Sequence, residues 1–424
     1  MKTIVPTTDY AAYSGTWDKI ARDGLRQLNV DTWAAGRRYL SLTRVCLSAD
    51  EARQLRDVTV LFTRLIDTAV EGILGDADWW SALAWPWPAI ELARQEPPHP
   101  AGQSSLYGRF DCLLDASGNW QVIEYNADTP SGGREATGLE RAIARLQPGL
   151  RPLSATLSSQ LVATLRRRML RYHRPVRLVG VVSSHSWLED IAQATWLAGL
   201  LRRAGLNVLV GDVTDLATRR GRITLRGQVI DALYRFYPIE RLYRHAIFAS
   251  LCEAAIEGQL LVLNGLRGFL AQSKACLAWL WSNRRGLDQA SCLGIERHLP
   301  ATVLARDPAA ADLLATGVVK HVNGREGDSV VFGSTLSPED WETRLIEGGY
   351  VVQRAVSSPA VEDVEVDDVD GRVRSAGPRY ACIGAFAVGG RFGGCYTRLD
   401  GPITSARATY AATLREPVSG ELRR

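Results

Sequence analysis

The sequence predicts a mixed α/β (α+β) protein with a mostly helical N-terminal region, a small inserted parallel α/β layer and an antiparallel C-terminal sheet. Three observations predict it. Apolar residues recur at three- to four-residue spacing through 10–75, around Trp17, Ile20, Leu25, Leu55, Val58, Leu61, Phe62 and Leu65, the mark of helix. Between about 175 and 265, continuous apolar runs alternate with amphipathic stretches, as parallel strands linked by helices do. Beyond 317, short β-patterned runs follow one another closely. The 424 residues allow two or three subdomains, read as 1–174, 175–265 and 266–424.

Composition removes several classes. Lys+Arg of 50 against Asp+Glu of 46 leaves +4, too mild and too mixed in sign to argue for nucleic acid as a partner. Seven cysteines, none in a C-x-x-C pair, make neither a disulfide framework nor a zinc ribbon, and the odd count suits a reducing, cytoplasmic setting. No run of 18 uncharged apolar residues appears, so no membrane span is expected. The opening MKTIVPTTDYAAYSG lacks the apolar core of a secretory signal. Oligomeric state is not legible.

After the first helical stretch, Trp79, Trp80, Trp85 and Trp87 interleave with Pro86 and Pro88, and the prolines argue against a regular helix. The tryptophans read as a packed corner or as a stacking platform. A loop (95–105) leads to β-patterned runs at 107–114 and 120–126. VRLVGVVSS, NVLVGDV, ALYRFYP and QLLVLN read as buried strands, with helices at 187–205 and 239–258 closed by Gly205 and Gly258. A helix is expected at 266–282, then strands near 317–322, 329–333, 350–356 and 380–399. Residues 361–377 form a polar, acidic excursion, and the tail beyond about 405, with little apolar patterning, is expected to be partly disordered.

The segment YGRFDCLLDASGNWQVIEYNADTPSGG (107–133) carries the chemistry. Asp115-Ala116-Ser117-Gly118-Asn119 is a turn cluster, so a hairpin is expected. A turn centred between Ser117 and Gly118 sets Asp111 opposite Glu124 and Arg109 opposite Asn126, all on one face. Phe110, Cys112, Leu114, Ile123 and Tyr125 take the other face, toward the core. Two facing carboxylates repel unless something positive lies between them. Mg²⁺ would serve, since carboxylate and amide oxygens are what it takes beside substrate phosphates. A surface cluster of Arg–Asp/Glu pairs is the plain alternative.

These residues, with EYNADTPSG, SKACLAWLW (273–281), LPATVL (299–304), VVKHVNGREGDSVV (318–331), YVVQ (350–353) and FAVGGRFGGCYTRLD (386–400), resemble the synthetase domain of the glutathionylspermidine synthase family. The resemblance implies a permuted ATP-grasp fold with an inserted preATP-grasp-like subdomain, and a carboxylate–amine ligase using ATP and Mg²⁺. It implies metal ligands at Asp111, Glu124 and Asn126 and phosphoryl-stabilising arginines at Arg109 and Arg398. It assigns nucleotide contacts to Lys274, Lys320, the lid Gly324-Arg325-Glu326-Gly327, and the hinge Gln353, Arg354, Ala355 and Val356. It assigns the acid substrate to Thr129–Ser131 and the amine to Glu189 and Asp190.

Local chemistry is compatible with these roles and also with plainer ones. Asn323-Gly324 could be a simple hairpin turn, Lys274 a solvated helix residue, and Glu189-Asp190 a complement to a helix dipole. Residues 1–106 show no amidase-like Cys/His unit, so product hydrolysis is not expected. The expected activity joins a peptide or amino-acid-like acid to a small amine or polyamine through an acyl phosphate. The rival readings are an ATP-grasp phosphotransferase and a non-catalytic nucleotide-binding protein.

Overall fold

The computed structural model describes residues 1–28, 33–34, 37–99, 102–325, 327 and 329–417. Strand β1 (Lys2–Ile4) and helix α1 (Tyr10–Leu28) come first, then strand β2 (Leu40–Leu47) and the long helix α2 (Ala49–Gly75). The helical pattern read through 10–75 is therefore broken by a strand. All eight residues of β2 are buried, and a strand covered on both faces loses the period-two alternation that would mark it. A capping box starts α2: Ser48 accepts from the Glu51 amide while the Glu51 carboxylate accepts from the Ser48 amide. Its buried face includes Leu55, Phe62, Leu65, Ile66 and Ile73, each worth roughly 1.5–3 kcal/mol of burial. Phe62 meets Phe110 edge-on at 6.3 Å, which seats the helix on the sheet that carries the site.

The Trp-rich piece forms a 3₁₀ turn (Ala77–Leu83) and helix α3 (Trp87–Gln95). The prolines do not forbid that helix, because they stand at its very start, where no intrahelical N–H bond is needed. Trp80 is buried and donates to the Ile73 carbonyl, whereas Trp87 is 61% exposed.

Strands β3 (Tyr107–Leu114) and β4 (Trp120–Asn126) form the expected hairpin, followed by α4 (Gly133–Ala144) and α5 (Leu157–Leu170). The inserted layer comprises β5 (Val179–Ser183), α6 (Leu188–Arg203), β6 (Val208–Asp212), β7 (Ala232–Arg235), α7 (Ile239–Leu242), α8 (Ile247–Ile256) and β8 (Leu261–Val262). Its strands run parallel in the order β8-β7-β5-β6. The helix expected over 239–258 is two helices, and an unexpected meander (Leu216–Arg219, Arg222–Leu225, Gln228–Val229) precedes β7.

The helix expected over 266–282 likewise divides into α9 (Leu266–Gln272) and α10 (Lys274–Asn283), with Ser273 as the N-cap of the second. Strands β9 (Thr302–Leu304), β10 (Gly317–His321), β11 (Val331–Phe332) and β12 (Tyr350–Arg354) form an antiparallel sheet ordered β9-β12-β10-β11. The acidic excursion is a hairpin of β13 (Val364–Asp367) and β14 (Arg372–Ser375).

Strands β15 (Tyr380–Val388), β16 (Arg391–Asp400) and β17 (Thr409–Arg415) complete the main sheet, ordered β1-β2-β17-β16-β15-β3-β4. The thin patterning after 405 misled: β17 is buried through Tyr410–Leu414 and pairs in parallel with β2. Its Ala411 and Ala412 are small because both faces are covered. Among the described residues no helix is long and apolar enough to cross a membrane.

Candidate functional site

The hairpin positions the first group of side chains. Asp115 closes the turn by accepting from the Ser117 and Asn119 amides, and Gly118 takes the left-handed conformation the turn needs (φ +80°). Leu114 pairs with Trp120, so the turn centres on Ser117, half a residue from the expected position. A bulge between Asp111 and Cys112 then shifts the register by one. The expected pairs, Asp111 with Glu124 and Arg109 with Asn126, therefore occur through two offsets that cancel. The bulged residue is Ile123, which lines the cleft instead of joining the core as expected.

Next to the hairpin, β15 sets Gly384 beside Asp111. A Cβ on Gly384 would lie 2.5 Å from Cδ of Arg109, so only glycine lets the arginine lie across this strand. Arg109 then reaches Asp111 through Nε (2.8 Å) and Nη2 (3.2 Å), while its Nη1 reaches the Ser131 carbonyl (2.9 Å) and hydroxyl (3.3 Å). From β16, Arg398 donates at 2.7 Å to Asp111 Oδ2, the oxygen that Arg109 Nη2 also reaches, and Asn126 donates to the same oxygen at 3.2 Å. Burial pushes the Asp111 carboxyl up, but the two guanidiniums outweigh it and hold the group below its usual range. Arg398 is pulled down by burial and raised further by Asp111, so both partners stay charged.

The second acid is held differently. Glu124 takes the Lys274 ammonium on one oxygen at 3.0 Å, and its other oxygen has no hydrogen-bond partner among the described residues. Lys274 also donates to the Gly324 carbonyl at 2.8 Å. Lys274 and Gly324 do not line the cleft; the ammonium bridges Glu124 and the Gly324 carbonyl outside it. Gly324 closes an Asn323-Gly324 turn on the His321 carbonyl. Lys320 on β10 donates to Gln353 Oε1 (2.7 Å) and the Ile123 carbonyl (3.3 Å), and Gln353 is fixed in turn by Thr302 at 3.0 Å. Burial, with Lys274 adding to it, lowers Lys320 to about 8 against the pull of Glu124.

One cleft of about 1160 Å³ gathers most of the predicted residues: Arg109, Asp111, Glu124, Asn126, Thr129, Ser131, Glu189, Asp190, Lys320, Arg325, Gly327, Gln353, Arg354, Ala355, Val356 and Arg398. Glu326 lies outside the described residues. Arg325 faces away from the hairpin acids: it pairs with Asp128 (2.8 Å) and Glu240 (3.0 Å) and donates to Thr129 (3.0 Å). Asp128 is fully buried and also paired with Arg235. Glu189 and Asp190 open α6 at the cleft wall.

Several lining residues had no sequence assignment. Tyr396 lies two residues before Arg398 on the same strand, which period-two reading could have found; its ring is 5.3 Å from the Arg109 guanidinium carbon. Its hydroxyl bonds to that of Tyr39, which precedes the strand misread as helix and so carried no signal. Arg134 and Glu135, a buried ion pair at the start of α4, Trp187, Phe332 and residues 401–406 also line the cleft.

Among the described residues no three His, Cys, Asp or Glu side chains cluster as a metal site. The available donors are two carboxylates and the Asn126 amide, all hard oxygens. Such a set fits Mg²⁺ held jointly with phosphates better than a cation caged by protein alone.

The model of the glutathionylspermidine synthase preATP-grasp family matches residues 13–414. The chain belongs to that family. A relative in Haemophilus influenzae, named "Putative acid--amine ligase", is 26% identical over 274 residues, 61% of this chain and 64% of its own length. The match thus spans less than two thirds of that relative. A glutathione synthetase-like effector from Globodera pallida, solved in its apoform, superposes with a TM-score of 0.63 over 96% of this chain and 98% of its own, at 10% identity. That likeness speaks for the fold: this family member has the mixed α/β architecture of glutathione synthetase-like, ATP-grasp-related proteins.

Proposed function

We propose that this family member is an ATP-dependent acid–amine ligase that forms an amide through an acyl phosphate. The observation that carries the reading is the convergence in one cleft of Arg109, Arg398, Asp111, Glu124 and Asn126 with Lys320 and Gln353. A substrate carboxylate attacks the γ-phosphorus of ATP, a P–O bond forms, and ADP leaves. The amine nitrogen then attacks the acyl carbon, phosphate leaves with the C–O bond pair, and the nitrogen loses a proton. No protein nucleophile is required, because phosphoryl transfer depends on alignment and charge neutralisation.

Asp111, Glu124 and Asn126 would hold Mg²⁺, which when bound neutralises phosphate charge. Arg109 and Arg398, both within 3 Å of Asp111, are placed to offset charge on the phosphoryl oxygens. The Lys320–Gln353 pair on the β9–β12 sheet provides the nucleotide wall, with Arg354, Ala355 and Val356 along it. Thr129 and Ser131, both lining the cleft, would hold the acid. Glu189 and Asp190 supply negative charge for an ammonium. The lid, with Arg325 and Gly327, excludes water that would hydrolyse the acyl phosphate.

The test couples ADP release to panels of acids and amines, with mass spectrometry of the product. An amide formed only when acid, amine and ATP are all present supports the reading. A phosphate ester would replace it with a phosphotransferase, and nucleotide binding without turnover would leave a binding protein.

A further inference from the structure

A second cavity of about 380 Å³ lies beside the main cleft. Glu240 lines it, Arg325, which pairs with Glu240, lines the main cleft, and Arg241 lines both. Its volume falls in the range of small-molecule sites. Its walls are apolar and aromatic: Trp85, Pro86, Ile239, Tyr243, Phe248 and Phe269. Trp85 and Phe269 are stacked at 4.5 Å with an 8° tilt, so this wall is a rigid double ring. The Trp-rich segment thereby gains a use that the ligase reading leaves open.

The charges around the cavity do not cancel. Glu240 is committed to Arg325 through both carboxylate oxygens. Burial first, and Lys274 second, hold His321 below the usual imidazole range, so it is neutral at pH 7. Arg241 and Arg244 remain; they lie over the rings of Trp187 (5.1 Å) and Tyr243 (5.7 Å) and form no salt bridge among the described residues. The cavity therefore presents aromatic walls, two cations at its edge and no uncommitted acid.

We propose that this cavity binds a compact aromatic carboxylate, its ring packed among Trp85, Ile239 and Phe248 and its carboxylate on Arg241 and Arg244. The ring supplies buried apolar area, and the guanidiniums select for negative charge. Nothing in this assignment depends on the ligase chemistry, so each can fail without the other.

Calorimetric titration of the full chain with phenylacetate, benzylamine and acetate, without nucleotide, tests it. Phenylacetate is expected to bind one to one, with benzylamine and acetate at least about tenfold weaker. Arg244→Ala is expected to weaken phenylacetate by about fivefold, the most that one exposed ion pair is worth. Ala89→Phe, which fills the cavity, is expected to abolish binding with melting temperature retained. Saturating Mg-ATP should leave the affinity unchanged. Absence of phenylacetate binding, equal binding of benzylamine, indifference to Arg244→Ala, or competition by ATP would each overturn the assignment.

Discussion

Two buried aspartates in this molecule each sit between two arginines, and they are built to different ends. Asp111 takes Arg109 and Arg398 from strands of one continuous sheet, where the hydrogen-bonded ladder fixes all three. Asp128 takes Arg235 from the inserted parallel layer and Arg325 from the loop after β10, tying separate parts of the chain together. In both, burial alone would neutralise the acid, and the paired guanidiniums keep it ionised. The first arrangement is preorganised, whereas in the second one member, Arg325, is partly exposed and the other, Arg235, is buried against Asp128.

The contrast can be broken at three points. Asp111→Asn keeps size and hydrogen-bonding capacity but removes the charge that orders both arginines. ADP formation is expected to fall by about 10³-fold, the scale of losing a preorganised charge-stabilising group, as steady-state kinetics would show. Alanine is a poorer probe there, because it would leave two buried guanidiniums without a counter-charge and cost stability as well. Asp128→Ala is expected to cost about 3–5 kcal/mol in urea unfolding, since it strands Arg235 in the interior. Removing the partly exposed member instead, Arg325→Ala, should cost only about 1 kcal/mol, because its side chain meets solvent and Arg235 remains. Equal losses from the last two variants would dissolve the distinction between a fixed and a releasable pair.

The mildest effect is one of pH. The folded Lys320 pKa, about 8, lies below the ordinary lysine value, so between these two pH values the unfolded chain binds more protons than the folded one. Stability contributed through Lys320 therefore rises as pH increases from about 8 toward 10, while its use as a cation for nucleotide fades over the same window. The KM for ATP is expected to rise about threefold to tenfold between pH 7 and 9, and Lys320→Arg should flatten that profile. A wild-type KM that does not change across this range would remove Lys320 from the nucleotide wall.

Much of the site was legible because its residues are local to one hairpin and to short motifs. That Arg109, Asp111, Glu124 and Asn126 pair on one face follows from turn residues and strand period, while the roles assigned to them come from the family resemblance. Even so, their register arises from a shifted turn and a compensating bulge that no pattern signals, and Ile123 went to the wrong face in consequence. Strands β2 and β17 escaped for another reason. They pair with each other across more than 360 residues of chain, are covered on both faces, and so lack the alternation that exposes a strand. The Asp128–Arg235–Arg325 group was equally hidden, because its members meet only once the inserted layer packs against the lid.

The pairing of β17 with β2 also sets an order on biogenesis. Arg398 stands on β16, whose outer neighbour is β17, so the floor beneath Asp111 lacks its flanking support until residues 409–415 have been synthesised. A ribosome-bound chain can complete the inserted layer, yet the sheet that carries Arg398 and Asp111 gains its flanking strand only once residues 409–415 have emerged.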